Sequence, residues 1–141
     1  MTAIDFYTRV ADPLRDAARI VAKAYRAHGN VRVLTPDAAT TAALDRLLWF
    51  EPPLSFLPHC GLRSPLAAET PVWIDDALEH SGAAAVLVNL HAEPPPFFSR
   101  FERLAEIVGI ADADVASGRA RFRFYRERGY EMRVHDRSQR N

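Results

Sequence analysis

The chain has 141 residues, 48% of them apolar and 26% charged, the balance of a soluble globular protein with one hydrophobic core. Eighteen Lys and Arg residues offset eighteen Asp and Glu, which argues against a general nucleic-acid binder, since such proteins carry a basic excess to neutralise phosphates. The single Cys60 excludes an intramolecular disulfide; no stretch reads as a cleavable signal or a spanning apolar segment, so a cytoplasmic protein is expected.

Ile4 to Val10 alternates and carries Phe6 and Tyr7, which predicts a first strand. Asp12-Pro13 then starts a helix, with an acidic N-cap and proline in the first turn. Leu14, Ala17, Ala18, Val21 and Tyr25 share one face of that helix, and Gly29-Asn30 ends it. Val31 to Leu34 is a short strand. Thr35-Pro36-Asp37 caps a second helix that runs to about Trp49, with Leu44, Leu47 and Leu48 as its buried face.

Pro52, Pro53 and Pro58 remove backbone donors and force the segment from Phe50 to His59 into a structured loop. Its large apolar side chains have two outlets, the core of this chain or a partner. Pro71 to Ile74 reads as a strand, and Ala83 to Leu90 as one buried on both faces. Pro94-Pro95-Pro96 breaks the chain before Phe97 and Phe98. Arg103 to Ile110 fits helix or strand equally. Asp112 to Arg128 is the last helix, stopped by Gly129, and Tyr130 to Val134 a last short strand. Alternating strands and helices predict a three-layer α/β/α domain with a mostly parallel sheet over residues 1–137, leaving 138–141 as a flexible tail.

An α/β sheet invites a nucleotide-binding or catalytic reading. The turn after the first strand, Ala11-Asp12-Pro13, has no glycine to let a phosphate approach, and neither a dinucleotide fingerprint nor a P-loop occurs elsewhere. His59-Cys60 fits a packed histidine beside an inert thiol better than a nucleophile and its base. Asp75-Asp76 fits a helix cap better than a metal pair, and His91 and Glu93 lack further ligands at metal-binding spacing. No catalytic residue, metal site or cofactor is expected.

The last helix is more informative. At about 100° per residue, Val115, Arg119, Phe122, Arg123 and Arg126 gather on one face, and Arg121 and Arg128 point roughly opposite. Guanidinium groups around an aliphatic and an aromatic side chain suit an acidic peptide with a hydrophobic end. The plainer alternative is a solvated basic face with Phe122 in the core.

Several separated segments carry a resemblance to one family. They are Phe6-Tyr7, Val31 to Leu34, Leu44-Asp45 through Leu48-Trp49, Ser55-Phe56-Leu57-Pro58-His59, Pro71-Val72 and Val86 to Leu90. Phe101, Glu106-Ile107-Val108, and Arg119-Ala120-Arg121 through Tyr125-Arg126 to Gly129-Tyr130 complete the set. In this order they resemble the chi subunit of the bacterial DNA polymerase III holoenzyme over nearly the whole chain. Leu-Trp followed by Ser-Phe-x-Pro-His is the most distinctive piece.

The resemblance implies a Rossmann-like fold without a nucleotide site, and a non-catalytic accessory subunit of the replisome. It implies two partners: the psi subunit, which ties chi to the clamp loader, and the acidic C-terminal tail of single-stranded-DNA-binding protein. Single-stranded DNA is then met indirectly. The tail ends in an aromatic residue with its carboxylate, which gives Val115, Arg119, Phe122, Arg123 and Arg126 a ligand. The psi-facing residues are matched here by Trp49, Phe56, Leu57 and Pro58. Two departures stand out: Val115 occupies a position where some relatives carry a basic residue, and the segment from Val108 to Asp112 is short. A small α/β enzyme or nucleotide binder that has lost the usual loops is the competing reading.

Overall fold

The structure is a computed structural model and describes residues 1–50, 58–61, 64, 70–78 and 85–139. Its strands are β1 (Ala3–Val10), β2 (Val31–Leu34), β3 (His59–Cys60), β4 (Val72–Asp75), β5 (Val86–Asn89), β6 (Arg103–Gly109) and β7 (Met132–Asp136). Its helices are α1 (Pro13–His28), α2 (Ala38–Phe50) and α3 (Asp112–Glu127). Among the described residues the sheet has seven strands in the order β3-β4-β2-β5-β6-β1-β7, and every pairing is parallel.

The ends of the helices follow from their sequences. Asp12 accepts the Arg15 amide through Oδ1 at 3.2 Å, and Gly29, at φ 90°, returns its N–H to the Tyr25 carbonyl. A left-handed residue there costs glycine nothing. Asp37 Oδ1 accepts the Thr40 amide at 2.7 Å and starts α2. Leu44 and Leu48 are buried in that helix, whereas Leu47 is half-buried at the margin of the expected face.

Right-handed crossovers explain the layers. Chain movements towards the β3 edge and towards the β7 edge must place their connections on opposite faces of a parallel sheet. Both α1 and α2 lie on steps towards β3, and they pack together on one face against Val33, Ile74, Val88 and Ile107. The step from β6 to β7 runs the other way and places α3 on the second face, with Tyr125 against Phe6, Leu104 and Val108.

The β5–β6 connection has no α-helix. Its Phe97, Phe98 and Phe101 are buried on the α3 face, around a 3-10 turn at Phe98–Arg100, and cover the strands where a crossover helix would otherwise lie. Arg103 to Ile110, undecided in the sequence, is the strand β6. The apolar side chains of Leu104 and Val108 meet α3, and those of Ala105 and Ile107 meet the α1 layer. Burial on both faces erases the alternation that marks a half-exposed strand.

Strand pairing places Asn89 directly beside Glu106 on the α3 face. Glu106, wholly buried, accepts Asn89 Nδ2 through Oε1 at 2.9 Å and the Tyr125 hydroxyl through Oε2. Arg121 Nε lies 3.3 Å from Glu106 Oε1, and its Nη1 donates to the His91 carbonyl at 2.7 Å. Burial pushes the Glu106 carboxyl up to about 7, against the opposing pull of Arg121 and the hydrogen bonds from Tyr125 and Asn89. The Tyr125 phenol is likewise pushed up, by burial and by the neighbouring carboxylate.

At the end of the chain, Arg137 Nε donates to Asp16 Oδ2 at 3.0 Å, and Ser138 bonds to Asp136 through its amide and hydroxyl. Residues 137–139 form a 3-10 turn.

Candidate functional site

The side of α3 that carries Val115, Gly118, Arg119 and Phe122 borders a groove whose other wall is the β7 edge of the sheet. Its floor includes Phe6 and Val108, and its rims carry Arg9 from β1, Arg119 from α3 and Val134 from β7. Three of the five residues expected on α3, Val115, Arg119 and Phe122, line it together. Arg123 is exposed and lies outside the lining, while the Arg126 guanidinium stands 5.9 Å above the Phe122 ring. Phe122 is half-buried, edge-on to Phe6 with ring centroids 5.3 Å apart, so it belongs both to the core margin and to the groove wall.

The helix comes close because Gly118 is bare. A Cβ at Gly118 would stand 2.7 and 2.8 Å from the two Val108 methyls. A glycine in mid-helix is the signal of such an approach, and it was present in the sequence. Phe6, Thr8, Arg9 and Val134 reach the site from strands distant in sequence, and the helical wheel of α3 contains no trace of them.

The groove has about 250 Å³ of open space. An apolar cavity of about 150 Å³ accepts benzene, so an aromatic side chain fits. A guanidinium at the rim of an apolar trough can hold the main-chain carboxylate of a terminal residue whose ring lies in the trough. Electrostatics agree with the geometry, for the whole chain is neutral and the positive charge here is local.

A second surface lies at the opposite edge. Trp49 and Phe50, at the end of α2, are 50% and 75% exposed. Trp49 packs against the buried His59 ring, centroids 4.7 Å apart, and His59 Nε2 faces Asp45 Oδ1 at 3.1 Å. Pro58 is exposed beside them. Phe56 and Leu57 lie outside the described residues. The choice between core and partner is thus visible for one ring: half of Trp49 covers His59 and half faces outward.

The weaker candidates stay apart. His59 is turned towards Asp45 and Trp49, and Cys60 is half-buried on the next residue of β3, where side chains alternate faces. Asp75 Oδ1 accepts the Ala77 amide at 2.9 Å, a local turn contact, and residues 76–78 are not helical. His91 Nδ1 accepts the Glu93 amide at 3.2 Å. Among the described residues no three His, Cys, Asp or Glu side chains are grouped to hold a metal ion, and no helix is long and apolar enough to cross a membrane.

The protein is an all-parallel, Rossmann-like α/β domain with an arginine-rimmed apolar groove, and it carries Ala11-Asp12-Pro13 where nucleotide binders of this architecture place glycines. Comparison with known proteins is more specific. The family model described as "DNA polymerase III chi subunit, HolC" matches residues 1–133. The DNA polymerase III subunit chi of Pseudomonas aeruginosa is 36% identical over 139 residues, covering 96% of each chain. A probable DNA polymerase III subunit chi of Rickettsia prowazekii is 31% identical over 75 residues, 53% of this chain and 46% of its own. The chain belongs to the DNA polymerase III chi subunit family.

Proposed function

We propose that the chain is a non-catalytic accessory subunit of DNA polymerase III, a nucleotidyltransferase holoenzyme, acting at the replisome in the cytoplasm. It links the clamp loader, through the psi subunit, to single-stranded-DNA-binding protein by holding the acidic C-terminal tail of that protein. The observation that supports tail binding is the groove in which Arg119 stands beside Phe122 and Val115 over an apolar floor. The exposed rings of Trp49 and Phe50, with Pro58 next to them, support a separate psi-facing patch that includes Phe56 and Leu57.

Magnitudes fit transient docking. Exposed guanidinium contacts contribute about 0–1 kcal/mol each, and burying a terminal aromatic side chain about 1.5–3 kcal/mol. Weak, salt-sensitive affinity follows. Direct binding of bare single strands is weak at physiological salt, because neutral overall charge offers little phosphate neutralisation.

Titration of a fluorescent tail peptide tests the reading. Arg119→Ala should weaken binding about fivefold, and replacing the terminal aromatic of the peptide by alanine should weaken it more. Equal affinities for wild type and Arg119→Ala would remove the groove from the interaction.

A further inference from the structure

Arg9 is the only non-glycine residue with positive φ, 55°, among the described residues. Left-handed backbone is unfavourable for a side chain with a Cβ, and it persists where the surrounding structure enforces it. The cause here is a bulge: the register of β1 against β6 shifts between Tyr7 and Val10. Ile4 and Phe6 face the α3 core, so plain alternation would send Val10 to that side as well. Val10 instead packs in the α1 core, because the bulge inserts one residue and inverts the alternation. Arg9 is the residue at this inversion, and it lines the groove with Thr8.

The Arg9 side chain is 68% exposed, and its Nη1 lies 3.6 Å from Asp136 Oδ2, at the end of the edge strand β7. Asp136 is held from its other side, where Oδ1 accepts the Ser138 amide at 2.9 Å and hydroxyl at 2.6 Å. A fixed carboxylate thus sits against a long, exposed cation at the rim of the groove. On the α3 wall Val115 is uncharged, leaving Arg9 and Arg119 as the charged side chains of the lining.

We propose that Arg9 is the second cation of this groove, taking a carboxylate of the same acidic peptide that Arg119 and Phe122 anchor, and that Asp136 occupies Arg9 until the peptide displaces it. The inference rests on the tail-binding reading and deepens it. Asp136 then works as an internal competitor: it mimics the ligand, neutralises Arg9 in the empty groove and sets a threshold for weakly acidic peptides. The bulge supplies the geometry, since a regular strand would direct this side chain to the other face of the sheet.

The test uses the full chain and a synthetic peptide of several aspartates ending in phenylalanine with a free carboxylate. Calorimetric or fluorescence titration at low salt compares wild type, Arg9→Gln, Arg9→Gly, Asp136→Asn, the double variant R9Q/D136N and Arg119→Ala. Arg9→Gln is expected to weaken binding about fivefold. Arg9→Gly, which removes the strain of positive φ, is expected to weaken binding equally while its melting temperature holds or rises. A structural role for Arg9 would not separate those two readouts. Asp136→Asn retains an acceptor for Ser138 and is expected to tighten binding roughly twofold, a gain that vanishes when Arg9→Gln is also present. Unchanged affinity in Arg9→Gln alongside lost affinity in Arg119→Ala overturns this inference and leaves the tail-binding reading standing. An equal gain from Asp136→Asn with and without Arg9→Gln overturns the competitor role. No binding of the peptide to wild type overturns both the reading and the inference.

Discussion

Glu106 on β6 and Arg121 on α3 form an ion pair, Oε1 to Nε 3.3 Å, with side chains 0% and 4% exposed, directly beneath the helix that borders the groove. The pair joins sheet to helix from inside, and Tyr125 adds a second tie to the same carboxylate. Desolvation makes such a pair a weak source of net stability. Removing one partner is another matter. Arg121→Met leaves a buried carboxylate with less compensation and is expected to cost about 3–5 kcal/mol. Urea unfolding measures this, and a loss under about 1 kcal/mol would show that the pair is open to water.

The raised Glu106 carboxyl also gives stability a pH dependence. Its value of about 7 in the fold exceeds the 4.5 of the unfolded chain, so between these values the folded state holds a proton that the unfolded state has released. The contribution is complete below about pH 4.5 and is lost as pH rises through about 7. Melting temperature should therefore decline across that window. Glu106→Gln should flatten the decline because it removes the titrating group, and the stability lost with the counter-charge of Arg121 should show above about pH 7. An undiminished decline in that variant would assign the titration to another group.

Gly118 controls how closely α3 approaches the sheet. Gly118→Ala adds a methyl that meets buried Val108 at 2.7 Å, and overpacking of this kind costs about 1–3 kcal/mol. The gain of about 1 kcal/mol in helix propensity offsets only part of it. Tail affinity should fall as well, since Gly118 and Val108 both line the groove. Combining it with Val108→Ala should restore part of each loss. Full stability and full affinity in the single variant would show that the helix shifts freely.

The sequence carried the elements that local chemistry defines. Asp12, Gly29 and Asp37 marked helix ends because capping involves side chains a few residues apart. Strand β6 resisted assignment because burial on both faces leaves no periodic signal, and helix and strand remain equally consistent with such a run. The same limit applies to the site. Residues Val115, Arg119 and Phe122 share one helix face and were visible from it, while Arg123 lies at the edge of that arc and Arg126 lies further along the helix, over the Phe122 ring. Arg9 and Val134 enter through the pairing of β1 with β6 and β7, which no local pattern encodes. The bulge that aims Arg9 exists only in that pairing.

Trp49 offers a test at the other edge. It is half exposed, so Trp49→Ala should leave most of the domain's stability in place. Truncating an interface anchor commonly costs about 2 kcal/mol or more in binding, and pairing with psi should weaken accordingly while tail binding is unchanged. Phe56→Ala is expected to behave in the same way. A large drop in melting temperature with both partners weakened would return these rings to the core.

The strand order has a further consequence. Trp49 packs over β3, and the groove lies along β1 and β7, so the two surfaces stand at opposite edges of a seven-stranded sheet. Strands spaced about 4.8 Å apart set the outer two roughly 30 Å from one another. Two occupants at that separation neither collide nor compete, and each can dissociate while the other stays. On the proposed reading, a tail released from the groove stays at high local concentration wherever its carrier and the occupant of the far edge belong to one assembly, and it rebinds readily. Under that proposal the sheet would turn a contact of modest strength into a lasting tether whose strength depends on keeping both edges occupied.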